Sequence, residues 1–320
     1  MSSGASSADA LWVVDSLGGH GRASAHYQKW QMNALGLRGP EVPVHPEPGR
    51  CRVITVGASE TFGLYESPGE EWPAQLARLA GSRVEVLNAA LPGMSLPTVT
   101  QDVRRRLAGY RPNVVVLYPS PAQYLGREAP SAVRPRSSLG AHAGAGVLAT
   151  VRVASRVRDQ VKGMIPSVIL DELRRRDVER QRSRDGGALT DAAIAARGRA
   201  FEEDVRGFVG DVRTAGAQPL LVVHAHAGND HPAPSSNLLL AWQRQVPLAE
   251  IRNLIAFEAA TAAAVIRVAA DSNVAFGDPR AALARGSDYW ADAVHFSDRG
   301  AAVIATEVRR LLALPTACDA

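Results

Sequence analysis

Ser59 lies in Gly57-Ala58-Ser59-Glu60-Thr61-Phe62-Gly63, directly after the apolar run Val53–Val56. A serine at a strand-to-helix turn exposes its hydroxyl, and the first amides of the next helix lie close enough to hold a developing oxyanion. The competing reading is a helix cap. Far downstream, Asp292-Ala293-Val294-His295-Phe296-Ser297 precedes the last helical segment. An aspartate and a histidine three residues apart on one turn can meet. The carboxylate then accepts the Nδ1–H, and Nε2 is left to take a proton from a hydroxyl. Here the competing reading is a polar loop in which Ser297 caps a helix. A third polar segment, His224-Ala-His226-Ala-Gly-Asn229-Asp230-His231, groups imidazoles with an aspartate. Its Asp-His pair falls two residues too late for the His-x-His-x-Asp-His ligand pattern. The loop is therefore expected at the rim of a site, with His226 or Asn229 touching substrate, and no metal or cofactor is expected.

These residues need a scaffold. Val53–Val56, Val84–Leu87, Val114–Tyr118, Leu220–His224 and Val274–Phe276 read as strands. Trp72–Ala80, Val99–Leu107, the face Phe201, Val205, Phe208, Val209 and Val212, then Phe257–Ala270 and Ala301–Leu312 read as helices. The alternation predicts a three-layer α/β/α sandwich around a central parallel sheet of about five strands. The chemistry should sit beyond the carboxyl ends of those strands. Residues 1–45 read as a tail and lead-in, loosest to about residue 20, residues 46–315 as one α/β domain, and 316–320 as a second tail. A basic helical insertion interrupts the domain at about 126–195. Within it Val153, Val157, Val161, Met164 and Val168 mark a helix face ending near Pro166.

The ordered set resembles the SGNH hydrolases, or GDSL-type esterases. It is carried by the early Ser59, by Asn88-Ala-Ala-Leu-Pro-Gly93 after the second strand, and by the late Asp-x-x-His. It spans roughly residues 50–125 and 195–314, and Asn33–Glu41 looks like a lead-in found in some bacterial members. The resemblance implies Ser59 as nucleophile, His295 as base and Asp292 as its orienter. It also implies the Ser59 and Gly93 amides as oxyanion donors. Two departures stand out. Ala58 replaces the usual aspartate of the first block. Ala122 stands where the third block has an asparagine, with Gln123 and Asn229 as candidate substitutes and Tyr118 beside them as a candidate substrate contact. The implied activity is ester hydrolysis through an acyl-enzyme on a carbohydrate or small-molecule O-acyl group. Transfer to an alcohol by the same triad is the alternative, and a non-catalytic ligand-binding module on this scaffold is the further one.

Composition narrows the partners. Hydrophobic residues make up 46% and charged residues 21% of the 320, a globular balance. The net charge is +4, yet the stretch from Arg152 to Arg184 alone carries ten basic and five acidic side chains. The excess is local, and no nucleic-acid-binding module accompanies it. The basic insertion reads as a lid over the serine, with a membrane-surface helix as the alternative. No apolar run reaches the length of a membrane span and no leader precedes the first strand, so a cytoplasmic protein is expected from the chain as printed, and an exported or tethered one if a leader was removed. Two cysteines, Cys51 and Cys318, are too few for a disulfide framework; free thiols are the expectation, with one bridge between them as the alternative.

Overall fold

The computed structural model describes residues 8–126, 128, 130–131, 167–184, 187–227, 236–284 and 287–312. The strands are β1 (Trp12–Asp15), β2 (Gly18–Gly21), β3 (His26–Tyr27), β4 (Trp30–Gln31), β5 (Cys51–Gly57), β6 (Val84–Asn88), β7 (Val114–Tyr118), β8 (Gln218–Val222) and β9 (Ala275–Gly277). The helices are α1 (Ser59–Phe62), α2 (Trp72–Ala80), α3 (Leu96–Arg105), α4 (Ser167–Arg184), α5 (Asp191–Thr214), α6 (Ser236–Gln243), α7 (Ile251–Asp271), α8 (Arg280–Leu283) and α9 (Asp298–Leu312).

The central sheet has five parallel strands in the order β6-β5-β7-β8-β9. Because side chains alternate across a strand, each strand feeds two cores. Val53, Val114, Val116, Leu220 and Val222 pack on one face with Trp72 and Leu76 of α2 and Ile304, Val308 and Leu311 of α9. Ile54, Val56, Val115, Leu117 and Leu221 pack on the other with α3, α5 and α7. The order reverses at β5, between β6 and β7, and the crevice at such a reversal is where open α/β sheets bind ligands.

The lead-in is structured. β1 and β2 form an antiparallel hairpin, and Leu11, Trp12, Trp30, Met32 and Leu37 are buried in the main core. The loose tail expected through residue 20 is therefore corrected from residue 8 on; residues 1–7 lie outside the described residues. Small residues there permit a close approach: a side chain at Gly21 would meet the Gly36 carbonyl at 2.0 Å. Two buried arginines tie outer segments to the sheet. Arg52 pairs with Glu85 at 2.6 Å and donates to the carbonyls of Pro43 and Tyr110, both at 2.8 Å. Arg38 pairs with Glu71 at 3.0 Å.

The charged run after residue 167 forms α4, which docks by Val178, by Arg182 on the Pro247 and Ala249 carbonyls, and by Asp177 on Arg244. The helix face at Val153–Met164 lies outside the described residues, as do residues 316–320. α7 is long and apolar enough to span a membrane by length and composition, but half of that stretch is buried. It carries the buried Glu258 and packs on α5, as a core helix does. Cys51 is disulfide-bonded, which corrects the expectation of a free thiol; Cys318 lies outside the described residues.

Candidate active site

β5 delivers Ser59. Gly57 ends the strand with φ +154, and a Cβ there would meet the Tyr118 carbonyl at 2.4 Å and Thr61 Oγ1 at 2.5 Å. Only glycine lets β5 turn this tightly against β7. Ala58 occupies the cap position of α1, so Ser59 is the first helical residue and its hydroxyl is not a cap. Asn88, at the end of β6, holds α1 by donating to the Thr61 carbonyl at 3.0 Å.

The other half arrives on the turn before α9. A bridge between Trp290 and Phe296 closes it, and Ala227 N–H donates to the Ala293 carbonyl at 2.8 Å, fixing it to the chain after β8. Asp292 Oδ1 accepts the backbone N–H groups of Val294 and His295, each at 2.9 Å. His295 Nδ1 lies 2.9 and 2.8 Å from the two Asp292 oxygens, and its Nε2 lies 2.8 Å from Ser59 Oγ. Ser297 does cap α9, accepting from Gly300 N–H at 3.3 Å. The helix cap and the Asp292–His295–Ser59 hydrogen bonds are thus made by different residues of this segment.

The electrostatics suit a base. Burial pushes His295 down, but the Asp292 bond and charge outweigh it, with Glu60 and Glu66 adding, and hold the imidazole above its ordinary value. Burial likewise pushes the Asp292 carboxyl up, yet its bonds from His295 hold it below the usual range. The half-exposed Tyr65 ring stands edge-on to His295, with centroids 5.1 Å apart.

Gly93, with φ +76, sits in the turn after β6. Trp12 Nε1–H donates to the Pro92 carbonyl at 3.2 Å, on the same peptide unit whose nitrogen is Gly93. In a trans peptide the N–H points opposite the C=O, so this bond sets the direction of the Gly93 N–H. Gln123 braces the same turn by donating to the Met94 carbonyl at 3.1 Å. The expectation that it reaches into the oxyanion hole is corrected: its amide holds the loop that carries Gly93. Asn229 lies outside the described residues.

Two substrate-contact expectations are corrected. Tyr118 is fully buried. Its hydroxyl accepts Ala225 N–H at 2.9 Å and its ring packs on Phe296, so it is a wall of the core. His226 is also buried, with its ring against Trp242 at 4.8 Å between centroids. His224 faces two carboxylates, Glu258 at 2.8 Å from Nδ1 and Glu60 at 3.6 Å from Nε2. Sequence reading singles out neither carboxylate, nor Ser120 or Trp12. Glu60, adjacent to Ser59, is the one whose position offers a signal.

The chain aligns over 82% of its length with the crystal structure of TesA, at 15% identity, 98% coverage of that chain and a TM-score of 0.47. It aligns over 83% with a GDSL-like lipase from Bacteroides thetaiotaomicron, at 12% identity, 89% coverage and 0.42. It also aligns over 83% with a catalytic mutant of an acetylxylan esterase from Geobacillus stearothermophilus, at 13% identity, 95% coverage and 0.46. GDSL and SGNH hydrolases recur among the matching structures. No family model and no curated protein sequence matches the chain. Likeness this distant says nothing about chemistry, which rests on the distances around Ser59.

Proposed function

We propose that this protein is a serine-dependent ester hydrolase of the SGNH type, acting on an O-acyl group of a carbohydrate or small molecule. One observation carries the reading. Ser59 Oγ, His295 and Asp292 form a continuous hydrogen-bonded line, with 2.8 Å at the nucleophile–base step. A non-catalytic module would have no chemical need for that alignment at the switch point of the sheet.

As Ser59 Oγ bonds to the acyl carbon, its proton passes to His295 Nε2. Asp292 accepts the Nδ1–H throughout and stabilises the imidazolium. The Ser59 and Gly93 amides receive the oxyanion. Collapse of the tetrahedral adduct breaks the ester C–O bond, and His295 returns the proton to the leaving alcohol. Water, deprotonated by the same imidazole, then releases the acid and regenerates Ser59. Tyr65, half exposed beside His295, is the side chain placed to meet the bound alcohol.

Labelling with a fluorophosphonate followed by mass spectrometry tests this on wild type, Ser59→Ala and His295→Ala. Adduct on Ser59 that requires His295 is expected. A folded wild-type protein that hydrolyses no p-nitrophenyl ester and takes no label would overturn the reading.

A further inference from the structure

The triad leaves a second group of buried charges unused. Glu60 directs one carboxylate oxygen at each of two serines. Oε2 lies 3.2 Å from Ser59 Oγ, whose single proton turns to it when His295 is protonated and Nε2–H donates to Oγ, and Oε1 accepts from Ser120 Oγ at 2.8 Å. Behind it, His224 Nε2 stands 3.6 Å from Glu60 Oε1, an ion-pair distance, and makes no hydrogen bond among the described residues. The far side of the same ring meets Glu258 of α7 at 2.8 Å. All three side chains are 3% exposed or less.

Burying a lone carboxylate beside a nucleophile is costly, and such a group normally takes up a proton. Here the cation behind it prevents that. Burial pushes Glu60 up, but His224, then His295, outweigh it and hold it below the ordinary glutamate value. Burial pushes His224 down, but Glu258 and then Glu60 raise it to about 10. An imidazolium is thus held between two carboxylates, and the inner one faces Ser59 while its charge reaches His295.

We propose that Glu60, backed by His224 and Glu258, is a positioning residue that stabilises the His295 imidazolium beside Ser59. No new proton enters the reaction. The Ser59 proton still moves to His295, and Glu60 makes that acceptor more basic. The groups facing His295 are Asp292 on its own turn, Glu60 and Ser59 on α1, and Tyr65 and Glu66 on the segment after α1. Those facing Glu60 are Ser59, His295, His224 and Ser120. Those facing His224 are Glu258, Glu60 and the Tyr118 ring. A merely structural Glu60, tying α1 to the turn after β7 through Ser120, would leave the titration of His295 where it is.

The catalytic part of this rests on the hydrolase reading, but its test does not. Imidazole NMR of the 15N-labelled protein gives the His295 midpoint, with the signal identified by its loss in His295→Gln. Glu60→Gln is expected to lower that midpoint by about one pH unit, a tenfold change in protonation, and to move the acid limb of fluorophosphonate labelling the same way. His224→Gln removes the cation, lets Glu60 take up a proton and lowers the midpoint as well. The double variant shifts no further than Glu60→Gln alone. Ser120→Ala keeps the charge and leaves the midpoint in place. An unmoved midpoint in either Glu60→Gln or His224→Gln, whichever folds by circular dichroism, overturns the proposal. A shifted midpoint in a protein that takes no label would sink the hydrolase reading and leave this one standing.

Discussion

Replacing Asp292 by asparagine separates charge from geometry at the triad. Asp292 Oδ1 accepts two backbone N–H groups at 2.9 Å, and an asparagine carbonyl can keep both, so the turn should hold its shape. That carbonyl, at the Oδ1 place 2.9 Å from His295 Nδ1, is already taken by the two backbone N–H groups. At the Oδ2 place, 2.8 Å from His295 Nδ1, the bond cannot survive in the same sense. A carboxamide NH2 placed there only donates, so Nδ1 must present its lone pair and the ring proton moves to Nε2. That nitrogen then donates to Ser59, 2.8 Å away, instead of accepting from it. Loss of the charge-assisted bond to the imidazolium costs about 1.5–3 kcal/mol. At about 1.4 kcal/mol per decade that is roughly 10- to 150-fold in rate. The reversed tautomer removes general-base help worth about 10²–10⁴. Both losses act through one imidazole and overlap, so the expected total is about 10³- to 10⁴-fold. Glu60 supports the imidazolium but stands on the Ser59 side, and it cannot reset the tautomer. The assay is the rate constant of p-nitrophenyl ester hydrolysis together with that of fluorophosphonate labelling, on protein whose melting curve matches wild type. Turnover within about tenfold of wild type would refute the orienting role of Asp292.

Two further outcomes follow from the surroundings of the site. Trp12→Phe keeps most of the packing and deletes the bond to the Pro92 carbonyl. A bond of about 0.5–1.5 kcal/mol is lost, so a two- to tenfold lower kcat with little change in KM is expected, and steady-state kinetics check it. His224 is held protonated up to about 10 by its two carboxylates, after burial has pushed it down. A group raised in the folded state stabilises fully below its unfolded pKa and loses that contribution as pH rises through the folded one. Urea unfolding from pH 6 to 10.5 should show wild-type stability falling on the alkaline side more steeply than that of His224→Gln; parallel curves would count against a buried imidazolium.

The sheet was legible because its strands are apolar on both faces. Val114–Tyr118 has the limits its sequence suggests, and Trp72–Ala80 does too, since its helical spacing is bounded by Gly81. The lead-in was not legible, because Gly18–Gly21 has few side chains from which a period can be read, and its place is fixed by Trp12 and by backbone fit. The same division runs through the site. Asp292 and His295 are three residues apart, so a local turn brings them together and the sequence displays the pair. Glu60, His224 and Glu258 come from α1, the chain just after β8 and α7. Each reads alone as an ordinary charged side chain, and only the sheet order makes them neighbours.

That order also accounts for the departure at the third strand. A chain with Ala122 in place of an asparagine lacks that side-chain donor for the oxyanion. The turn after β7 instead uses its polar groups as support: Ser120 on Glu60, and Gln123 on the Met94 carbonyl. Trp12 supports the turn that carries Gly93 from the opposite side. In the proposed reaction the backbone amides at Ser59 and Gly93 carry the oxyanion. The turn that carries the Gly93 amide is held from two segments of the chain, by Trp12 and by Gln123. The arrangement puts backbone amides in place of that side-chain donor. It also explains why a carboxylate is tolerated next to the nucleophile: with its own cation at 3.6 Å, Glu60 can favour the imidazolium without standing as an uncompensated negative charge beside the oxyanion.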